Sequence, residues 1–246
     1  MSLSVFHSAF KNKRATEQAI KNFREHNDGP YFLVSDGGDD FSEIAEKFNC
    51  FYYHADWNLK LRDHNDPSGI YGNTKEETLE WLRRFRMACD YAKTDHIMMM
   101  EDDVLIRGQI NVEDDVEVAG LDGPQNRNRV HQELIEYLTE KYDAKFYNNW
   151  YAITGGAIFK IKTFVENYDR VIKIFDDEFD FIKDNLMKSI GCIDVWMTVY
   201  YALCRKEYTI NPYFTETTNN PNWRDPNYAI VHHYKEHYDH FGYFYE

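Results

Sequence analysis

Residues 96–106, HIMMMEDDVLI, set three adjacent acids, Glu101, Asp102 and Asp103, between two apolar runs. Adjacent carboxylates repel one another, and desolvating them is costly. A strand that carries them must therefore end at water or at a positive charge. Magnesium and manganese supply such a charge: they are hard cations that take carboxylate oxygens and keep sites for substrate phosphates. An acid cluster at a strand end can hold such an ion, and the ion then neutralises a diphosphate on its other side. The alternative is a solvated turn in a β-hairpin, which Val104, Leu105 and Ile106 argue against by resuming the apolar run at once.

The surrounding pattern positions this cluster. Residues 3–9, 31–35 and 50–54 read as strands, and 13–26 as a helix with Ala19, Ile20 and Phe23 on one face. Ser42 caps a short helix carrying Ile44, Ala45 and Phe48. Thr74 and Glu77 have capping-box spacing for a helix to about Ala92, with Leu79, Leu82, Phe85 and Cys89 as its inner stripe. Alternating strands and helices predict a parallel sheet covered on both faces, with ligands beyond the carboxyl ends of its strands. Three polar sites fall at such ends: His7 with Ser8, the SDGGDD turn at 35–40, and the acid triplet. Of these, His7 reads as a strand residue packed beside the core.

The second half is less regular. Residues 107–129 read as a surface loop, 130–142 as a helix, and 148–160 as a strand interrupted by Gly155 and Gly156. Further helices run around Phe164–Ile172 and from Asp194, and 208–214 is a last strand. The expectation is a single domain over 1–246, with a nucleotide-binding half at 1–106 and an acceptor-side half and tail at 107–246.

An apolar strand followed by EDDV resembles the DxD region of GT-A glycosyltransferases, particularly the N-acetylglucosaminyltransferase I type. The resemblance follows element order along nearly the whole chain. It implies a GT-A fold, a Rossmann-like mixed sheet flanked by helices. It also implies a metal-dependent transferase that moves a sugar from a nucleotide-sugar donor, UDP-sugar first and GDP-sugar second, to a glycan or other hydroxyl acceptor. Manganese or magnesium is the implied cofactor. Asp103 becomes the principal metal ligand, and Glu101 and Asp102 contact nucleotide or donor sugar. Glu101 departs from the family's commoner first Asp, so direct metal binding does not carry over to it.

Other segments extend the resemblance. FLVSDGG, 32–38, places Asp36 at the nucleotide, although Gly37 and Gly38 also suit a plain turn. Ser8 and Phe10 flank the base, and Asn73 faces the donor. One of Arg83, Arg84 and Arg86 reaches the diphosphate, with Arg83 preferred. TGGAIFK resembles the segment that closes the donor pocket, so Gly155 and Gly156 permit close approach of a ligand, or else form a bulge. Trp150 and Tyr151 stack on an acceptor sugar, or on each other in the core. Asp194 sits where inverting members keep the base, and an Asp at a helix start is equally a cap. In the tail, VHHYKEHYDH offers a metal-binding histidine. Strand alternation lets one of His232 and His233 face the site, His233 preferred. His233 and His237 also have the spacing of a helical zinc pair, with no cysteine nearby to complete it.

Composition excludes other classes. The net charge is −14, with no basic stripe beyond Arg83, Arg84 and Arg86, so nucleic acid is not the expected partner. No run approaches the roughly 18 apolar residues of a membrane span. Cys50, Cys89, Cys192 and Cys204 are widely spaced and read as free thiols of a soluble cytoplasmic protein. A sugar nucleotidyltransferase would bring a glycine-rich loop near its start, and residues 1–16 contain no glycine. A non-catalytic metal- or carbohydrate-binding module whose acids hold calcium is the third reading; the absence of a regular EF-hand loop and the strand-end position of the acids argue against it.

Overall fold

The structure is a computed structural model describing residues 3–59, 72–121, 132–146, 155–186, 193–206, 208–217 and 220–234. The elements run β1 (Ser4–Ala9), α1 (Lys13–His26), β2 (Tyr31–Asp36), α2 (Ser42–Lys47), β3 (Phe51–Ala55), α3 (Lys75–Tyr91) and β4 (His96–Met100). Then follow β5 (Leu105–Ile106), β6 (Val118–Gly120), α4 (Gln132–Tyr142), β7 (Ile158–Lys160), α5 (Ile161–Phe181), a π-helical turn (Ile182–Leu186), α6 (Ile193–Leu203), β8 (Tyr208–Ile210), β9 (Phe214–Glu216) and β10 (Ile230–His232).

One sheet has seven strands in the order β3-β2-β1-β4-β7-β6-β8. β3, β2, β1 and β4 are parallel, β7 is antiparallel to β4, and β8 runs parallel to β6. A three-stranded sheet, β5-β10-β9, stands beside it. Central strands covered on both faces are apolar throughout, which is why HIMMM shows no alternation. Phe6, Phe32, Ile97, Met99 and Phe159 face the layer of α3, α5 and α6. Val5, Leu33, Met98, Met100 and Ile158 face the opposite core, shared with the small sheet.

The helix starts follow local chemistry. The Thr74–Glu77 capping box forms with both hydrogen bonds, and α3 closes with Ala92 as its C-cap, close to the expected end. At α2 the cap differs from the sequence reading. Ser42 is the first helical residue, and Asp40 accepts hydrogen bonds from its backbone N–H and its hydroxyl, both at 2.9 Å. The stretch 107–129 also holds a strand that its polarity hid: β6 pairs between β7 and β8. The expected last strand is two, β8 and β9, in different sheets. Cys50, Cys89 and Cys204 are free thiols, and burial pushes all three up. Cys192 lies outside the described residues.

Arg84 fixes residues 57–59, just after β3. Its guanidinium is 1% exposed and donates to Asp36 Oδ1 at 2.6 Å, to Glu80 at 2.8 Å and to the Trp57 carbonyl at 3.0 Å. Asp36 also accepts from the Leu59 backbone N–H at 2.9 Å and the Asn58 amide at 3.2 Å. The Gly37–Gly38 turn wedges beside them. Gly37 has φ +63°, and a Cβ there would lie 2.4 Å from the Trp57 backbone. A Cβ on Gly38 would lie 1.5 Å from the Phe10 carbonyl oxygen. The loops after β1 and β2 and residues 57–59 after β3 are thus locked together at the carboxyl edge. Removing one partner of a buried pair leaves an uncompensated charge, so Arg84→Met should cost about 3–5 kcal/mol. Arg83→Met, at an exposed pair, should stay within about 1 kcal/mol. Urea unfolding of the two variants checks the contrast.

Candidate active site

The acidic triplet is the turn by which the chain leaves the large sheet. β4 ends at Met100, the Val104 N–H closes the turn on the Glu101 carbonyl at 3.1 Å, and β5 begins the small sheet. The three side chains part company there. Asp102 points inward and is 7% exposed. Its Oδ1 accepts from His7 Nε2 at 2.9 Å and from the Thr16 hydroxyl at 2.7 Å. It does not line the open edge as the donor contact read from the sequence. His7 is fully buried beside the core, as its place in the strand suggested.

Asp103 points the other way, toward β10. One ligand atom from each of Asp103, His232 and His233 lies within 4.8 Å of the other two. Asp103 Oδ1 is 3.6 Å from His232 Nε2, and its Oδ2 is 3.4 Å from His233 Nδ1. Strand alternation would send one imidazole away. It fails because His233 has φ +55°, a left-handed conformation that turns its ring back beside that of His232. The two rings stack with centroids 3.8 Å apart. Non-glycine residues in this conformation are uncommon, and such strain concentrates at functional sites. It is held by the Thr217 hydroxyl, which donates to the His233 carbonyl at 2.6 Å, and by the Tyr234 N–H, which donates to the Asp103 carbonyl at 2.8 Å.

Two further acids complete the cluster. Glu101 Oε2 is 3.4 Å from His232 Nε2. Glu216, on β9 in register with His232, lies 3.9 Å from His232 Nδ1 and 3.7 Å from His233 Nε2. Sequence reasoning missed Glu216, since no local motif marks it and only the pairing of β9 with β10 brings it in. The cluster is graded in exposure: Glu216 and His232 are shut in at 3% and 4%, while His233 and Glu101 open at 39% and 44%. A ligand would approach from the Glu101–His233 side.

The electrostatics follow from this crowding. Burial alone would lower the pKa of His232, but Asp103, Glu101 and Glu216 overcome it and push it up to about 9. Burial raises the Asp103 carboxyl, and the two histidines outweigh it and hold it below the usual range. Asp103 Oδ1 and His232 Nδ1 are shielded from solvent without a hydrogen-bond partner. A carboxylate and two imidazoles converging on one point, with shielded atoms short of partners, fit a divalent cation, which would replace the proton on His232.

The remaining residues fall around this centre. Gly155 meets the acid turn itself: a Cβ there would lie 2.9 Å from Val104 Cγ2 and 3.1 Å from Glu101 Cδ. Gly156, at φ +102°, would meet Phe214 and Ile230. The close approach that these glycines permit is thus to the chain's own acids and small sheet. Phe10 is exposed at the end of β1 with the Lys11 ammonium 5.0 Å over its ring, and Ser8 is half-buried in the strand. Asn73 is buried just before α3, and its carbonyl accepts from Lys183 Nζ at 3.0 Å. Arg83 is spent on Glu80 and Tyr53, so of the three arginines Arg84 is the one that reaches a strand-end acid. Asp194 lies in the first turn of α6. α6 leads into β8, which starts level with the beginning of β4, and Trp196 near the start of α6 packs on Phe175 and Phe179 late in α5. Trp150, Tyr151 and His237 lie outside the described residues.

No protein-family model and no curated protein sequence matches the chain. Among solved structures, an active-site mutant of LgtC aligns with a TM-score of 0.53 at 12% identity, over 94% of this chain and 86% of that one. The galactosyltransferase LgtC in complex with donor and acceptor sugar analogs gives 0.49 at 13%, over 94% and 86%. The bifunctional glycosyltransferase WbbM, in its apo form, gives 0.48 at 12%, over 94% of this chain and 45% of that one. The likeness to the LgtC mutant establishes the architecture: this chain has a GT-A-like fold, a mixed α/β sheet flanked by helices.

A pH prediction follows for the metal-free chain. The folded value of His232, about 9, exceeds its ordinary value of 6.5, so the stabilisation is complete below about pH 6.5 and lost as pH rises through about 9. Thermal unfolding in chelator should show Tm falling across that window, and His232→Gln should flatten the fall.

Proposed function

We propose that this chain is a manganese-dependent glycosyltransferase that moves a sugar from a nucleoside diphosphate sugar, with UDP as the first nucleotide to test, to a hydroxyl acceptor. The observation that carries this reading is the convergence of Asp103, His232 and His233 at the carboxyl edge of the parallel strands. The fold shared with LgtC supports it. Two imidazoles favour manganese over magnesium, which prefers oxygen ligands and dehydrates reluctantly.

When bound, the cation neutralises charge on the departing diphosphate, an electrostatic contribution to the transition state. The chain's own groups do the rest. Asp103, His232 and His233 hold the ion. Glu101, on the open side of the cluster, accepts from ribose or sugar hydroxyls, and Ser8, Phe10 and Asn73 form the nucleotide wall. Asp36 builds that wall indirectly, because Arg84, Leu59 and Asn58 already engage its carboxylate. Asp194 takes the proton of the acceptor hydroxyl as the sugar carbon is attacked, which gives inversion at that carbon.

Two variants test the reading. Asp103→Ala should abolish manganese-dependent UDP binding. Asp194→Asn should bind UDP as the wild type does and lose transfer by about 10²–10⁴-fold, the usual scale of a positioned base. Full transfer by Asp194→Asn would remove it as the base. Unchanged UDP binding by Asp103→Ala would remove the metal site.

A further inference from the structure

We infer that His7 and Thr16 are positioning residues for the metal site, acting through Asp102, an inference that rests on the metal-binding reading above. Asp102 and Asp103 are the two central residues of the turn from Glu101 to Val104. Their side chains leave on opposite sides, so the orientation of one dictates that of the other. On the inner side, β1 supplies His7 and α1 supplies Thr16, and both donate to the same oxygen of Asp102, at 2.9 and 2.7 Å. A carboxylate only accepts, so the His7 Nε2–H and the Thr16 hydroxyl are the donors.

The donors are themselves held. His7 Nδ1 lies 2.8 Å from the Tyr31 hydroxyl, which is 3.3 Å from Met100 Sδ. Thr16 lies in the first turns of α1, beside the Asn12 side chain that caps the helix, and the Asn12 carbonyl, 3.0 Å from its hydroxyl, is a second acceptor that competes for the one proton given to Asp102. His7 and Thr16 have no measurable exposure. Two elements of the large sheet's layer thus grip a turn that leads into a different sheet.

On the outer side the turn has few constraints. The Tyr234 N–H binds the Asp103 carbonyl, and Gly155 packs on the stem of Glu101. Asp103 Oδ2 meets His233 Nδ1 at 3.4 Å, while its Oδ1 has no hydrogen-bond partner, so from the outer side the carboxylate is held at one oxygen. With two shorter hydrogen bonds, at 2.9 and 2.7 Å, the grip from behind sets the aim of Asp103 at His232 and His233. Loss of the grip lets the turn roll between the sheets and carries Asp103 and Glu101 off the imidazoles. Groups that orient metal ligands without touching the metal typically contribute about 10–100-fold in metal affinity.

The test is manganese binding by calorimetry on the full chain, with Tm measured alongside. Thr16→Val removes one donor at nearly constant volume, and Thr16→Ser keeps it. Asp102→Asn keeps the shape of the side chain and weakens its acceptance. Thr16→Val and Asp102→Asn are expected to weaken the manganese Kd about tenfold or more while remaining folded. Thr16→Ser should restore it to within about twofold, a rescue that a mere packing role would not require. Wild-type Kd in both weakened variants, with manganese binding by the wild type intact, overturns this inference alone. Equal loss in Thr16→Ser and Thr16→Val also overturns it. A wild-type chain that binds no manganese overturns it together with the metal-site reading.

Discussion

Three carboxylates and two imidazoles share a small volume where the two sheets meet, and every other feature of the site answers to their charge. Asp103, Glu101 and Glu216 together carry more negative charge than two neutral rings can offset. The chain's own remedy is a proton on His232, whose pKa the surrounding acids push up to about 9 against the effect of burial. A divalent cation would answer the same imbalance with twice the charge and at the same place. An electrostatic deficit built into a buried site is a way to make binding of a cation, and through it a phosphate, favourable.

Keeping such a cluster folded requires that its members come from rigid neighbours. Asp103 comes from the end of a central strand, His232 and Glu216 from paired strands of the small sheet, and His233 from a backbone held at positive φ. The glycines at 155 and 156 let the segment before β7 press against both the acid turn and the small sheet. Behind the turn, Asp102 is anchored to His7 and Thr16. The loops after β1 and β2, locked to residues 57–59, extend the same edge into a firm wall, with Arg84 and Asp36 at its centre.

Much of this was legible in the residues, and the parts that were not share one cause. The capping box at Thr74, the parallel strands and the acids at the end of HIMMM all rest on neighbours in the chain, so local pattern found them. Which of the arginines packs inward onto Asp36 depends on helix phase. Arg84 lies three residues past Trp81 and four before Ala88, both buried, and that signal was available. Strand alternation allowed one tail histidine to face the site, but the left-handed turn at His233 is held by Thr217 and Tyr234, outside any alternation rule. Glu216 and the inward turn of Asp102 depend on partners that only tertiary pairing supplies. Strand β6 escaped notice because three residues inside a polar stretch carry too little periodicity to read.

The most direct test of the account is an anomalous difference map at the manganese edge, from crystals grown with manganese and UDP. The account predicts one strong peak within coordination distance of Asp103, His232 and His233, with the diphosphate of UDP on its open side next to Glu101. A peak elsewhere, or UDP bound with the diphosphate away from these three residues, would contradict it.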